Sequence, residues 1–163
     1  MSTAAPTDDI GSGAGRVSPA SEEVTRAAVR GLARLARMAE RSCPELTLAQ
    51  YRVLARVATG DHRASLLAGR LALSKPSVTA TVEALVERGY LARSGVEADR
   101  RAVQLDLTPS GGEALAAADE AMARQLQRVL AHCGDPALAL GGLCELAGGL
   151  DALVADRMAR GGE

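Results

Sequence analysis

The sequence predicts a mainly helical fold with one small β-hairpin, and three observations carry the prediction. Apolar residues recur at helical spacing through most of the chain, from Val24 to Met158. Capping signals of one kind open helix after helix: Ser18-Pro19, Thr47 with Gln50, Ser74 ahead of Pro76, Thr108-Pro109 and Asp135-Pro136. Only between Gly89 and Thr108 does the period change to the alternation of paired strands.

Residues 1–17 are rich in Ser, Thr, Ala, Gly and Asp and hold almost nothing to bury, so a disordered tail is expected. Val24, Ala28, Leu32 and Leu35 then give a first helix from Ser18 to about Arg41, with Pro44 beyond its end. Thr47 and Gln50 form a capping box for a second helix, which turns Tyr51, Leu54 and Ala58 inward and ends at Gly60. Residues 66–71 are a short helical pattern closed after Leu73. Ser74 caps the next helix at once. Val78, Val82, Leu85 and Val86 make a single apolar stripe on it, and Gly89 stops it. Two short helices joined by a tight turn, the second amphipathic, form a helix-turn-helix.

Residues 90–93 and 103–107 read as strands, and 94–101 as a polar hairpin loop, or wing. The fifth helix follows Thr108, with Leu115, Met122, Leu126, Val129, Leu130 and Cys133 inward, and stops at Gly134. The last helix has one apolar face at Leu140, Leu143, Ala147, Leu150, Val154 and Met158, and a second at Leu138, Leu146 and Leu153. A helix with two apolar faces needs a partner on each, which predicts a homodimer. The expected organisation is a tail (1–17), a first dimerisation helix (18–46), a winged helix-turn-helix (47–108) and C-terminal dimerisation helices (109–163).

Composition narrows the function. Net charge is −1, but residues 52–108 carry +3 and residues 109–163 carry −4, so the middle of the chain is the part suited to phosphate. No stretch approaches the roughly 20 apolar residues that span a bilayer. Residues 1–17 lack the basic start and apolar run of a signal peptide, so a cytoplasmic protein with no membrane partner is expected. Cys43, Cys133 and Cys144 match neither a disulfide framework nor a paired zinc motif. His62 and His132 have no ligand-forming neighbours in sequence, so no metal or other cofactor is expected. No nucleophile, base and orienting group occur together, so an enzyme is not expected.

A recognition helix presents small polar or basic side chains near its N-terminus, where free N–H groups and the helix dipole also favour phosphate. Ser74, Lys75, Pro76, Ser77, Thr79, Ala80 and Thr81 occupy that stretch. Asp99-Arg100-Arg101 falls at the tip or far flank of the hairpin. A planar guanidinium fits a narrow minor groove, where negative potential is concentrated. An aspartate two residues earlier can hold such an arginine in place. Arg93, on the first strand, joins this DNA-facing set.

The order of helices and hairpin resembles the MarR family of bacterial regulators over about residues 21–160. Leu67-Ala68 with Leu71, the run from Leu73 to Thr79, the run from Leu85 to Leu91 with Arg93, Asp99-Arg100-Arg101, and the run from Leu107 to Gly111 carry the resemblance. It implies a dimeric, sequence-specific regulator, most often a repressor. Two recognition helices would enter successive major grooves of a pseudo-palindromic operator, and Arg101 or Arg100 a minor groove. It also implies release by a small lipophilic, phenolic or acidic ligand between the dimer helices and the winged domain. The lining expected here is Leu35, Met38, Tyr51, Leu54 and Leu115, with an anionic group near Arg37 or Arg41.

Two departures stand out. Positions often basic or amide-bearing in the family are Ala80 and Ala84 here, which leaves fewer base readers beside methyl contacts from Ala80 and Thr79 to thymine. Some family members sense oxidants through a cysteine in the first helix, whereas Cys43 lies just past that helix beside Pro44. Two alternatives stay open: a helical protein-interaction dimer with a degenerate winged domain, and a thiol-based redox-sensing repressor. Ala80 and Ala84 favour the first, and Asp99-Arg100-Arg101 opposes it.

Overall fold

The structure, a computed structural model, describes residues 19–61, 64–71, 73–96 and 99–160; of residues 19–20, 64–66, 95–96 and 99–103 it describes the backbone. The tail 1–17, the Ser18 cap and His62 lie outside the described residues. The elements are α1 (Pro19–Ser42), α2 (Leu48–Ala58), α3 (Ala64–Leu71), α4 (Lys75–Glu87), β1 (Leu91–Val96), β2 (Asp99–Leu107), α5 (Pro109–Leu130) and α6 (Pro136–Arg160). The chain divides into two compact units between Leu35 and Ala36, a boundary inside α1. In the first unit Val24, Val29 and Leu32 are exposed.

The second unit begins its helices at the side-chain caps. Thr47 Oγ1 accepts from the Gln50 amide at 3.2 Å, and Gln50 Oε1 accepts from the Thr47 amide at 3.0 Å. Two of the amides that a helix start leaves without partners are thereby satisfied. Ser74 caps α4 and Thr108 caps α5 by accepting from the third residue onward. Pro76 and Pro109 sit in first turns, where a missing N–H breaks no helical bond.

The hairpin differs from expectation. Both strands run further, so most of the predicted loop at 94–101 is ladder, with Ser94 opposite Gln104 and Gly95 opposite Val103 before a register shift. Backbone pairing does not require apolar side chains, and the Ser94 hydroxyl donates to the Asp106 carboxylate across the strands.

Val53, Leu54 and Val57 of α2, Leu67 of α3, Leu85 of α4, Leu91 of β1 and Leu105 of β2 are fully buried together. Each such side chain stabilises by about 1.5–3 kcal/mol, so one core fixes the helix-turn-helix against the hairpin. The junction is tight. Thr108 Oγ1 donates to the Gly89 carbonyl at 2.7 Å and Ser110 Oγ does so at 2.9 Å. Gly89 has φ of 71°, and a Cβ on Gly111 would collide with the Tyr90 carbonyl oxygen. Glycine is required at both positions.

Burial fades along α5, from Leu115 and Ala118 in the core to half-buried Met122, Leu126, Val129 and Leu130. No residue of α6 is buried. By length and composition alone α6 is long and apolar enough to cross a membrane, which corrects the expectation that no stretch approaches this. Across 136–153 its only charged residues are Glu145 and Asp151. Its C-terminal half nevertheless lies against α2 and α3. Arg56 donates to Asp151 at 2.9 Å, and Gly69 leaves the space that the Met158 sulfur occupies.

Candidate nucleic-acid interface

The stripe of Val78, Val82 and Leu85 is buried, so the opposite side of α4 faces outward. Ser74, Lys75, Pro76, Ser77, Thr79 and Ala80 are exposed there, and Thr81 is half-buried. The fold thus brings the predicted recognition residues onto one flank at a helix start. The Ser74 and Ser77 hydroxyls are 2.7 Å apart. Thr79 donates to the Lys75 carbonyl at 3.0 Å and Thr81 to the Ser77 carbonyl at 2.8 Å, which commits both threonine protons to the helix itself. Lys75 is the cation of this face. Glu83 and Glu87 are exposed on α4 as well; the sequence reading holds Glu87 only within the run from Leu85 to Leu91, and Glu83 not at all. The spacing of Pro76, Ala80, Glu83 and Glu87 at i, i+4, i+7 and i+11 is the signal that marks them.

Arg93 is exposed on β1, opposite Leu105 in register. Asp99, Arg100 and Arg101 open β2, with Asp99 opposite Val96, so the triplet starts a strand and does not fill a loop. Their side chains lie outside the described residues. Arg88, which the sequence reading holds only within the run from Leu85 to Leu91, is a positioning residue. It donates to the Glu45 carbonyl at 2.7 Å, and its guanidinium carbon lies 4.6 Å from the centre of the Tyr90 ring. It joins the end of α4 to the turn before α2 and to the start of the wing.

The residues of the expected ligand lining fall in different places. Leu54 and Leu115 are members of the core, because that face of α2 packs on α5 and the hairpin. Leu35 and Met38 are half-buried on α1, and Arg37 and Arg41 are exposed. Of the five expected residues, Tyr51 borders a cavity of about 380 Å³, together with Ala55, Arg56, Arg70, Leu71 and Val154. Tyr51 and Ala55 are the flank of α2 turned toward α6. The Tyr51 hydroxyl donates to Asp119 at 2.8 Å. Burial, and then that carboxylate, push its phenol up to about 12. Arg70 pairs with Asp61, a buried carboxylate whose second oxygen has no partner among the described residues. Three arginines, Arg52, Arg56 and Arg70, therefore border a largely apolar wall.

An exposed helix start bearing hydroxyls and a lysine, fixed by one core to a two-stranded wing, defines a winged helix-turn-helix, a DNA-binding class. Residues 45–102 match the model of the MarR family. Comparison with curated protein sequences finds no match. Among solved structures, the transcriptional repressor CouR bound to a 23-mer DNA duplex is 26% identical with a TM-score of 0.69, covering 82% of this chain and 96% of that one. BpsR of Bordetella bronchiseptica is 24% identical with a TM-score of 0.63, covering 78% and 94%. Wild-type MarR of E. coli is 19% identical with a TM-score of 0.66, covering 76% and 96%. Residues 45–102 thus carry the likeness to the MarR family, and the fold of the chain is that of MarR-type winged-helix transcriptional regulators.

Proposed function

We propose that the protein is a cytoplasmic homodimeric repressor that sets two α4 helices in successive major grooves of a pseudo-palindromic operator. The observation that carries this reading is the exposed, Ser74-capped start of α4 beside the wing, within the segment of the chain that is basic. CouR, a repressor solved on a DNA duplex, is built alike. The exposed Leu138, Leu146 and Leu153 supply a face of α6 for a second copy to cover. Mobility-shift titration over a range of salt tests the reading. Lys75→Ala is expected to weaken all sequences alike and to reduce the slope of log K against log salt by about 1, as loss of one phosphate contact does. If the parent binds no duplex, the protein-interaction dimer takes its place.

Release is assigned to a small lipophile bearing one acidic or phenolic group, held in the cavity between α2, α3 and α6. BpsR offers a parallel, since its DNA binding is regulated by 6-hydroxynicotinic acid. An anion there competes with Asp151 for Arg56 and loosens α6 from α2. Half-sites on one face of the duplex stand about 34–36 Å apart, so a shift of a few ångströms costs one half-site its contacts. The ligand must favour the released arrangement by about 10⁴-fold to invert a 99:1 population. A thermal-shift screen of hydrophobic acids and phenols, followed by operator release, checks this. Arg56→Ala should bind operator and lose release, while Cys43→Ser, Cys133→Ser and Cys144→Ser all keep it. Oxidant-driven release abolished by one cysteine variant establishes the thiol reading instead.

A further inference from the structure

We propose that Glu83 reads a cytosine in each half-site, through its carboxylate and the exocyclic amine that cytosine presents in the major groove; this rests on the operator-binding reading above. The outward face of α4 offers few groups able to read a base. The Ser77 hydroxyl is engaged with Ser74, and the protons of Thr79 and Thr81 are held by helix carbonyls. Pro76 and Ala80 have no polar side-chain atom, and half-buried Ala84 has none either. Lys75, at the first helical position, is placed for phosphate. Glu83 follows Pro76 and Ala80 on the same exposed line, and no ion pair holds its carboxylate among the described residues. Its long side chain is therefore the polar reader nearest the middle of the helix.

A carboxylate facing a polyanion is repelled unless it accepts a hydrogen bond that replaces its water. An ionised carboxylate can only accept, so it discriminates for base donors and against guanine, which presents two acceptors, and thymine, which presents one beside a methyl. Adenine carries its own donor, but its N7 acceptor lies next to it and repels the second carboxylate oxygen. Cytosine has no such neighbour on its own edge. Ala80 and Glu83 are about 4.5 Å apart along the helix axis, against roughly 3.4 Å per base step. The cytosine therefore lies within one or two steps of the thymine whose methyl meets Ala80.

The test is selection of binding sites from a random duplex pool by the full-length parent, Glu83→Ala and Glu83→Gln. The parent should prefer cytosine about tenfold to a hundredfold at one symmetric position of each half-site. Glu83→Ala should lose that preference and keep every other position. Glu83→Gln should move it to adenine, whose donor and acceptor match an amide. If Glu83→Ala enriches the parental sequence unchanged, or binds every sequence more tightly with no change of preference, Glu83 only repels phosphate and the inference is overturned. If Glu83→Ala does not fold, Glu83→Gln decides alone: retained cytosine preference sinks the inference, and a shift to adenine sustains it. A parent that enriches nothing overturns operator binding itself, and this inference with it.

Discussion

Leu146→Asp combined with Leu153→Asp should turn the protein into a folded monomer and lower operator affinity by at least about a thousandfold, more than a single lost base contact does. The two leucines lie seven residues apart on one stripe of α6 and are 63% and 53% exposed, so the chain's own core does not depend on them. A two-fold interface counts each substitution twice. Four leucines at about 1.5–3 kcal/mol each amount to roughly 6–12 kcal/mol. A dimer of micromolar stability has only about 8 kcal/mol in all, so the burial term alone decides the outcome before the aspartates add repulsion. Sedimentation velocity at micromolar concentration reads the mass, and far-ultraviolet circular dichroism reads the fold. A parent that sediments as a folded monomer, or a double variant that stays dimeric, contradicts the assignment of this face.

What the sequence made legible here was local. Thr47 with Gln50, Ser74 and Thr108 announce helix starts by chemistry confined to four residues, and the structure bears each one out. Gly60 and Gly89 end helices with positive φ, again a local requirement. Strand ends were not legible, because the extension of β1 through Ser94 and Gly95 depends on a partner strand and not on side-chain pattern. The recognition face was readable from the period of Val78 and Val82, but Glu83 became visible only once that face was known to be outward. The cavity was hidden for a different reason. Arg56 and Asp151 are 95 residues apart, and nothing in either neighbourhood announces the pair. Periodicity shows which side of a helix is apolar and not which apolar side meets a ligand, so Leu54 and Leu115 of the core read no differently in the sequence from Tyr51 at the cavity.

Arg101→Ala and Arg100→Ala carry the other large expected effect. Either substitution should weaken operator binding by about 1–3 kcal/mol per monomer site, so a dimer loses roughly 2–6 kcal/mol, or about 30-fold to 10⁴-fold. Both arginines stand at the start of β2, directly after Asp99, which is opposite Val96 in register. Thermal stability should hardly change, since an exposed ion pair contributes about 0–1 kcal/mol to folding. The result that separates groove insertion from simple charge attraction is a double cycle with the DNA. Exchanging A·T pairs for G·C under the wing widens the minor groove and weakens its potential, so the parent should lose affinity. The alanine variant should be indifferent to that exchange. If parent and variant lose equally, the arginine acts on phosphate from outside the groove; if both variants bind like the parent, the wing does not touch DNA.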